Sequence, residues 1–134
     1  MAAARQQYNG QQVHSMFITL AHLGPLVAFA AHTLKFTFPG KVKVIGARLN
    51  VGGRGGTHVT SAVDIQKGGV SILAAAFDVD ALTPGTPVDK EIADLAAGAD
   101  PVAANAEMSV VTTESGGTAP TWDTAGVQID YVLI

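Results

Sequence analysis

Glycine residues are the first candidates for chemistry in this 134-residue chain, because glycine-rich loops can hold phosphate groups. Residues 49–73 contain glycines at positions 52, 53, 55, 56, 68 and 69. A dinucleotide-binding loop needs Gly-x-Gly-x-x-Gly between a strand and a helix, but His58 stands where the third glycine belongs. The residues that follow alternate between mostly apolar and mostly polar side chains, which predicts a strand and not a helix. The glycines are therefore predicted to turn the chain.

Side chains that bind metals or act as nucleophiles form no recognisable motif. The histidines at positions 14, 22, 32 and 58 lack the spacing of zinc ligands, although convergence of two or three of them in space stays open. Asp78 and Asp80 have the spacing of a calcium loop, but Leu82 stands at the next ligand position. No serine lies in Gly-x-Ser-x-Gly, and the chain has no cysteine. We therefore expect a protein that is not an enzyme and that uses no metal or cofactor.

Two residues in predicted loops are candidates for binding a ligand at the surface. Arg54 falls in the Gly52–Gly56 connection, and Trp122 follows a segment rich in Gly, Thr and Pro. A tryptophan in a loop can stack on a sugar ring, or it can anchor the loop by packing onto the end of the fold. The sequence leaves both interpretations of Trp122 open.

The composition predicts that part of the surface is covered by other protein. Only 14% of the residues are charged, against about 25% in typical soluble proteins, whereas 48% are hydrophobic. All eleven acidic residues lie at position 64 or later, and six of the eight basic residues precede it. Five of the basic residues, between Lys35 and Arg54, are spread over twenty residues without interleaved surface aromatic residues. This pattern favours solvated strand faces or charge complementarity between neighbouring subunits, and we expect no nucleic-acid partner.

Alternating apolar residues predict a succession of short strands after residue 32. The predicted strands cover 33–38, 42–51, 58–66, 70–77, 107–113 and 127–134. Turns are expected at Pro39-Gly40 and at Gly68-Gly69. Within 42–51 the apolar residues change phase, which predicts a β-bulge at Ile45-Gly46. Many short strands with glycine-rich turns predict an all-β fold, an antiparallel β-sandwich.

One segment departs from the strand pattern. Thr86 and Pro87 have the residue types of a helix N-cap and first helical position. Val88, Ile92 and Leu95 then follow at helical spacing. The sequence therefore predicts one short helical insert, a short helix or a helical turn, within residues 86–98.

The N-terminal residues 1–15 are predicted to form an extended arm, and residues 16–134 the β-sandwich domain. The arm has too little apolar surface to offset the roughly 1–2 kcal/mol per residue that backbone ordering costs. We therefore expect it to lie on another subunit or partner. The side chains expected to make this contact are Arg5, Gln6, Gln7, Tyr8, Gln11 and Gln12.

The apolar run at residues 17–31 resembles a membrane segment only superficially. It is shorter than the ~20 residues that a spanning helix needs, and His22 and Gly24-Pro25 interrupt it. The residues before it are polar and lack the basic start of a signal peptide. We expect one or two strands here and no membrane partner.

The segment FTFPGKVKVIGARLNVGGRGGTHVTSAVDIQKGGVSIL, at residues 36–73, resembles a recurring segment of small virion proteins of tailed bacteriophages. LAAGAD at 95–100 and GVQIDYVLI at 126–134 fit the later part of the same pattern. The resemblance implies a β-sandwich of jelly-roll type that decorates (cements) the capsid. It further implies assembly in the host cytoplasm, a place on the surface of the virion head, the major capsid protein as partner, and a homo-oligomer for which a trimer is expected. The helical insert and the long arm depart from the pattern.

A second hypothesis is a receptor- or glycan-binding module of a tail or head fibre that uses Arg54 and Trp122. Such a module should concentrate aromatic residues in its loops. Here aromatic residues make up only 6% of the chain, and most of them fall on predicted strands. The sequence therefore favours the structural role.

Overall fold

The computed structural model of the protein describes residues 7–8, 10–20, 31–57, 59–96, 101–115 and 118–134. These residues form strands and no α-helix, so the predicted all-β class is confirmed. The strands are β1 (Gln7–Tyr8), β2 (Gln11–Gln12), β3 (His14–Thr19), β4 (Ala31–Phe36), β5 (Val42–Thr57), β6 (Thr60–Lys67), β7 (Val70–Ser71), β8 (Phe77–Asp78), β9 (Val88–Lys90), β10 (Met108–Ser115) and β11 (Thr118–Leu133).

Two antiparallel sheets make up the body of the protein. The first, which we call sheet I, has the strand order β3-β11-β5-β9, and the second, sheet II, has the order β4-β10-β6-β7 with β8 also paired to β6. The pairing is nested along the chain, because β3 pairs with β11, β4 with β10, β5 with β9, and β6 with both β7 and β8. Strands from the first half of the chain therefore pair with strands that follow in reverse order, as in a long antiparallel ribbon.

The hydrophobic core receives side chains from both sheets. Alternate residues of each strand are buried in it, such as Val127 and Ile129 of β11, Val63 of β6, and Met108 and Val110 of β10. Each fully buried aliphatic side chain of this size contributes about 1.5–3 kcal/mol relative to an exposed one. The predicted period-two pattern therefore results in a sandwich-like arrangement of the two sheets.

A bulge in β5 keeps both halves of this long strand directed toward the core. Gly46 is opposite Asp130 and Val44 is opposite Tyr131, so Ile45 is the extra residue. Val44 on one side of the bulge and Ala47 on the other are both buried in the core. The bulge predicted at Ile45-Gly46, with its reversal of phase, is therefore confirmed.

The predicted turn at Gly68-Gly69 is confirmed, and the strand after it is shorter than expected. Gln66 pairs with Ser71 and Lys67 with Val70, and the two glycines between them have φ of 58° and 85°. Both angles lie in the left-handed region, where glycine has no steric penalty. After β7 the chain leaves the sheet until β8, so the strand predicted over 70–77 is present only at its two ends.

The bend at Pro39-Gly40 carries the chain from β4 in sheet II to β5 in sheet I. Phe38, just before it, is fully buried and packs edge-on against the ring of Phe36 at a centroid distance of 5.7 Å. The predicted turn therefore lies at a crossing between the two layers.

Two predictions of local structure are wrong. The Gly52–Gly56 segment was expected to be a connecting loop, but it is part of β5, where Gly53 and Gly55 pair with β11. The short helix or helical turn predicted within 86–98 is wrong at its start, where β9 lies, and only a three-residue 3₁₀ turn, Ile92–Asp94, is present. Val88 pairs with Leu49 of β5, and this sheet pairing overrides the helical spacing.

The N-terminal region begins with a small hairpin. β1 and β2 pair with each other around Gly10, whose φ is 75°. β3 begins at His14, so His14 and Ser15, assigned to the arm by the sequence, pair with Tyr131 and Asp130 inside sheet I. Arg5 and Gln6 lie outside the described residues, as do residues 21–30 of the apolar run. Among the described residues, no helix is long and apolar enough to span a membrane.

Candidate functional site

Arg54 is the centre of a hydrogen-bonded cluster at one end of sheet I. It lies on β5 directly opposite Trp122 of β11. Its Nη1 donates to the carbonyl oxygen of Val79 at 2.8 Å and to that of Asp80 at 3.2 Å, and its Nη2 donates to the carbonyl oxygen of Leu82 at 3.2 Å. A guanidinium group suits this position because its planar fork presents several N–H donors at fixed angles. Arg54 therefore fixes the 79–82 loop onto sheet I.

The same loop is held from the side of sheet II. The Asp80 carboxylate accepts a hydrogen bond from the backbone N–H of Ser61 at 3.0 Å, and the Val79 N–H donates to the Ser61 carbonyl oxygen at 2.9 Å. Further along, the N–H of Gly85 donates to the carbonyl oxygen of Val51 at 2.8 Å. The loop between β8 and β9 is thus fastened to β5 and β6, one strand from each sheet.

A buried carboxylate lies between the two sheets near this cluster. Glu114 of β10 is only 3% exposed and accepts hydrogen bonds from the Ser61 hydroxyl and, at 3.0 Å, from the indole N–H of Trp122. A buried charge of this kind is tolerated because donors replace the lost water. We call Arg54, Ser61, Asp80, Glu114 and Trp122 the polar clamp.

An open depression borders the polar clamp. It has a volume of about 370 Å³ and is lined by Arg54, Gly56, Thr57, Asp80 and Pro84. The Arg54 guanidinium and the Asp80 carboxylate already hold the loop through their other atoms, whereas Arg54 Nε and Asp80 Oδ1 are buried without a hydrogen-bond partner. The depression can therefore offer hydrogen bonds to a small polar molecule, while its charged groups mainly hold the protein together.

The sequence placed Arg54 and Trp122 in loops, and this placement is wrong. Both lie on strands, as neighbours across β5 and β11. Trp122 is 2% exposed, so its ring is closed to a sugar, and Arg54 spends its terminal donors on backbone carbonyl groups. The interpretation of Trp122 as a packing anchor is the one that its burial supports.

Sequence reasoning missed Glu114 as a partner of Trp122. One signal was available, because Glu114 continues the inward phase of Met108, Val110 and Thr112 along β10, and all four are buried. An acidic residue at an inward position of a strand needs donors nearby. The identity of those donors depends on which strands meet, which the sequence does not show.

The outer face of sheet I, turned away from the core, carries a second set of polar contacts. Asp130 is 7% exposed and accepts hydrogen bonds from the Ser15 hydroxyl at 2.7 Å and from Gln128 Nε2 at 2.8 Å. Arg48 forms an ion pair with Asp89, with 2.5 Å between Nε and Oδ1. The hydrogen bond to Asp89 raises the pKa of Arg48 above its ordinary value.

Phe17 lies on this outer face at the edge of the sheet. It is on β3, opposite Gln128, and its side chain is 74% exposed. Its neighbours Met16 and Ile18 point to the other side and pack partly buried against the core. Burying the Phe17 ring against another protein would therefore remove a large apolar surface from water.

The N-terminal hairpin meets the end of β11. The Gln11 side-chain amide donates to the carbonyl oxygen of Leu133 at 2.8 Å, and both Gln11 and Gln12 are exposed. The side chains of Leu133 and Ile134 are each 53% exposed beside this contact. The side chains of Gln7 and Tyr8 lie outside the described set, so their expected contacts stay predictions.

The histidines do not converge within the described part of the chain. His14 stacks on Tyr131 with a ring-centroid distance of 5.6 Å, whereas His22 and His58 lie outside the described residues. His32 pairs with Thr112 through the backbone of β4 and β10. In the residues that the structure covers, no three His, Cys, Asp or Glu side chains are grouped as a metal site would require.

Comparison with known protein families, curated proteins and solved structures found no match for this chain. The proposal for its function therefore depends on the contacts, burial and strand order described above, together with the resemblance of residues 36–73.

Proposed function

We propose that this protein is a non-enzymatic structural protein of a bacteriophage virion, a capsid decoration protein that binds the major capsid protein on the head surface as a homo-oligomer. We also propose that its fold is of jelly-roll type. The nested pairing of β3 with β11, β4 with β10, β5 with β9 and β6 with β7 supports this fold. Jelly rolls recur in viral capsid proteins, and the resemblance of residues 36–73 favours the same class.

The observation that carries the functional proposal is the exposed apolar surface beside the N-terminal hairpin. Leu133 and Ile134 remain half exposed where Gln11 holds the hairpin to the end of β11. Exposed apolar side chains next to a polar rim are typical of protein–protein contacts. We call the hairpin together with Leu133 and Ile134 the attachment surface, and we infer that it contacts the capsid.

The polar clamp favours this role over the binding of a receptor or glycan. Trp122 is buried and Arg54 is engaged with three backbone carbonyl groups, so the two residues expected to bind a sugar serve the fold. A decoration protein instead needs many weak contacts repeated by symmetry, and the avidity of such contacts multiplies their effect. The resemblance favours a trimer as the repeating unit.

The test of this proposal is a truncation that removes residues 1–12 and leaves β3 intact. Gly10, Gln11 and Gln12 of the hairpin are exposed and β3 begins at His14, so we expect a nearly unchanged melting temperature. Binding to phage heads that lack the native protein should weaken at least tenfold, about 1.4 kcal/mol, measured by co-sedimentation.

The matched control is Val70→Ser, which changes a 71% exposed apolar residue on β7 of sheet II that is not part of the attachment surface. It should bind heads like the wild type. Unchanged binding of the truncated chain would show that the hairpin is passive. Failure of the full-length chain to sediment with the heads would contradict the decoration role itself.

A further inference from the structure

The edge strands of the two sheets differ in how they are protected from pairing with other chains. Exposed edges are usually shortened or carry charges, because a free row of backbone N–H and C=O groups can recruit another strand. The edges of sheet I are β3 and β9, and β9 has only three residues and contains Asp89 and Lys90. In sheet II, β7 has two residues, and Lys35 of β4 forms an ion pair with Glu107 at 3.4 Å.

Strand β3 has none of these protections. Its six residues, HSMFIT, include no Lys, Arg, Asp, Glu, Pro or Gly. It pairs with β11 on one side, and within the described part of the chain no strand pairs with its other side. Phe17, near its middle, is 74% exposed. An uncharged edge of this length with an exposed aromatic residue is suited to pairing with another strand.

We propose that β3 pairs with β3 of a second copy of the protein, antiparallel about a two-fold axis that passes through Phe17. This contact joins the sheet I of each copy into one continuous sheet. A two-fold axis requires a strand that is complementary to itself, since each residue meets its counterpart in reverse order. The sequence of β3 has that property when Phe17 is placed on the axis.

The register follows from the faces of the strand. Residues opposite each other in an antiparallel pair point to the same face, so Phe17 meets Phe17 and Ser15 meets Thr19 on the outer face. On the inner face Met16 meets Ile18, and both already pack against the core of their own copy. The register therefore pairs aromatic with aromatic, hydroxyl with hydroxyl, and aliphatic with aliphatic. A shift by one residue would set inward against outward side chains.

This inference rests on the homo-oligomer part of the proposed function and names one contact within it. The β3 edge can pair only once, so it forms a dimer by itself or links larger oligomers that are held by other surfaces. Across sheet I, Phe17 is opposite Gln128, which is opposite Arg48, which in turn is opposite Asp89. The charged residues of this cross-strand row therefore lie on β5 and β9, and the β3 edge carries none of them.

The first experiment uses opposite charges at the axis. Phe17→Lys and Phe17→Glu each place like charges against one another in the pair of copies, so each variant alone should dissociate at least tenfold more readily than the wild type. An equimolar mixture of the two variants should recover association, measured by analytical ultracentrifugation. Val70→Lys, at a comparably exposed apolar site on sheet II, is the matched control and should associate like the wild type.

The second experiment uses the absence of cysteine from the chain. Directly opposed residues of antiparallel strands have Cα atoms about 4.5–5.5 Å apart, which is within the range that a disulfide spans. Phe17→Cys should therefore form a covalent dimer under mild oxidation, and Val70→Cys should not. Circular dichroism of each variant checks that the fold is retained.

The two experiments separate this contact from the decoration role. A wild-type chain that stays monomeric at millimolar concentration overturns the proposed pairing. The pairing is also contradicted if the mixture of charge variants fails to recover association, or if the Phe17→Lys variant associates like the wild type. If Phe17→Lys associates like the wild type, the oligomers use another surface. Binding to phage heads, measured separately, can then still support the decoration role.

Discussion

The polar clamp joins the two sheets, whereas the β3 edge borders sheet I alone, and the two regions use their side chains in opposite ways. In the clamp, Arg54 and Glu114 are polar or charged groups whose hydrogen bonds are spent inside the molecule. At the edge, Phe17 is an apolar residue whose surface remains in water. The polar and charged residues of the clamp therefore stabilise the fold, whereas the apolar Phe17 is available for contact with other proteins.

This difference shows why the types of residues alone are a poor guide to where a protein binds. An arginine and a tryptophan have the chemistry of a binding site, but here the two terminal nitrogens of Arg54 donate to backbone carbonyl groups and the indole N–H of Trp122 donates to a carboxylate of the same chain. A buried polar group that loses its partner costs more than an exposed contact gains. Substitutions in the clamp should therefore change stability, and substitutions at the edge should change association.

Replacement of Arg54 should have the largest effect on stability. Arg54→Ala removes the donors to three carbonyl groups of the 79–82 loop, and we expect the free energy of unfolding to fall by about 3 kcal/mol. Urea denaturation measures this change. Arg54→Lys keeps the charge without the planar fork and should recover only part of the loss. The exposed Lys41→Ala serves as a control, and an equal loss in both variants would contradict the clamp.

Trp122→Phe should have an intermediate effect. The substitution keeps an aromatic ring in the core but removes the N–H that donates to the buried Glu114 carboxylate at 3.0 Å. We expect a loss of about 2 kcal/mol, because a buried charged acceptor loses one donor. A double-mutant cycle with Glu114→Leu, which removes the acceptor, isolates the contact, and additive effects of the two changes would show that the hydrogen bond contributes little.

Phe17→Ser should have the smallest effect on stability. The side chain is 74% exposed, so the free energy of unfolding of the monomer should change by no more than about 0.5 kcal/mol. Chemical denaturation at low protein concentration checks this value. Association should weaken in the same variant, whereas Arg54→Ala should leave association of the folded protein unchanged. A large loss of stability in Phe17→Ser would remove the contrast between the two regions.

Local sequence patterns predicted the parts of the fold that depend on local geometry. The Gly68-Gly69 turn could be predicted because both residues need positive φ, which glycine adopts without penalty. The bulge at Ile45-Gly46 could be predicted because a strand with one buried face must keep its apolar residues in phase. The same reasoning predicted a short helix or helical turn at 86–98 and failed at its start, because Val88 pairs with Leu49, which is far away along the chain.

The sequence by itself determined the all-β class, the tight hairpin and the phase change in β5, since each follows from the backbone preferences and side-chain period of neighbouring residues. Only the tertiary structure decided that the Gly52–Gly56 segment is a strand, because β11 supplies hydrogen bonds that do not depend on side chains. It also decided that Arg54 and Trp122 are internal, since their partners come from residues 79–82 and from Glu114. Those partners meet only when the two sheets pack, so no local pattern in the chain contains them.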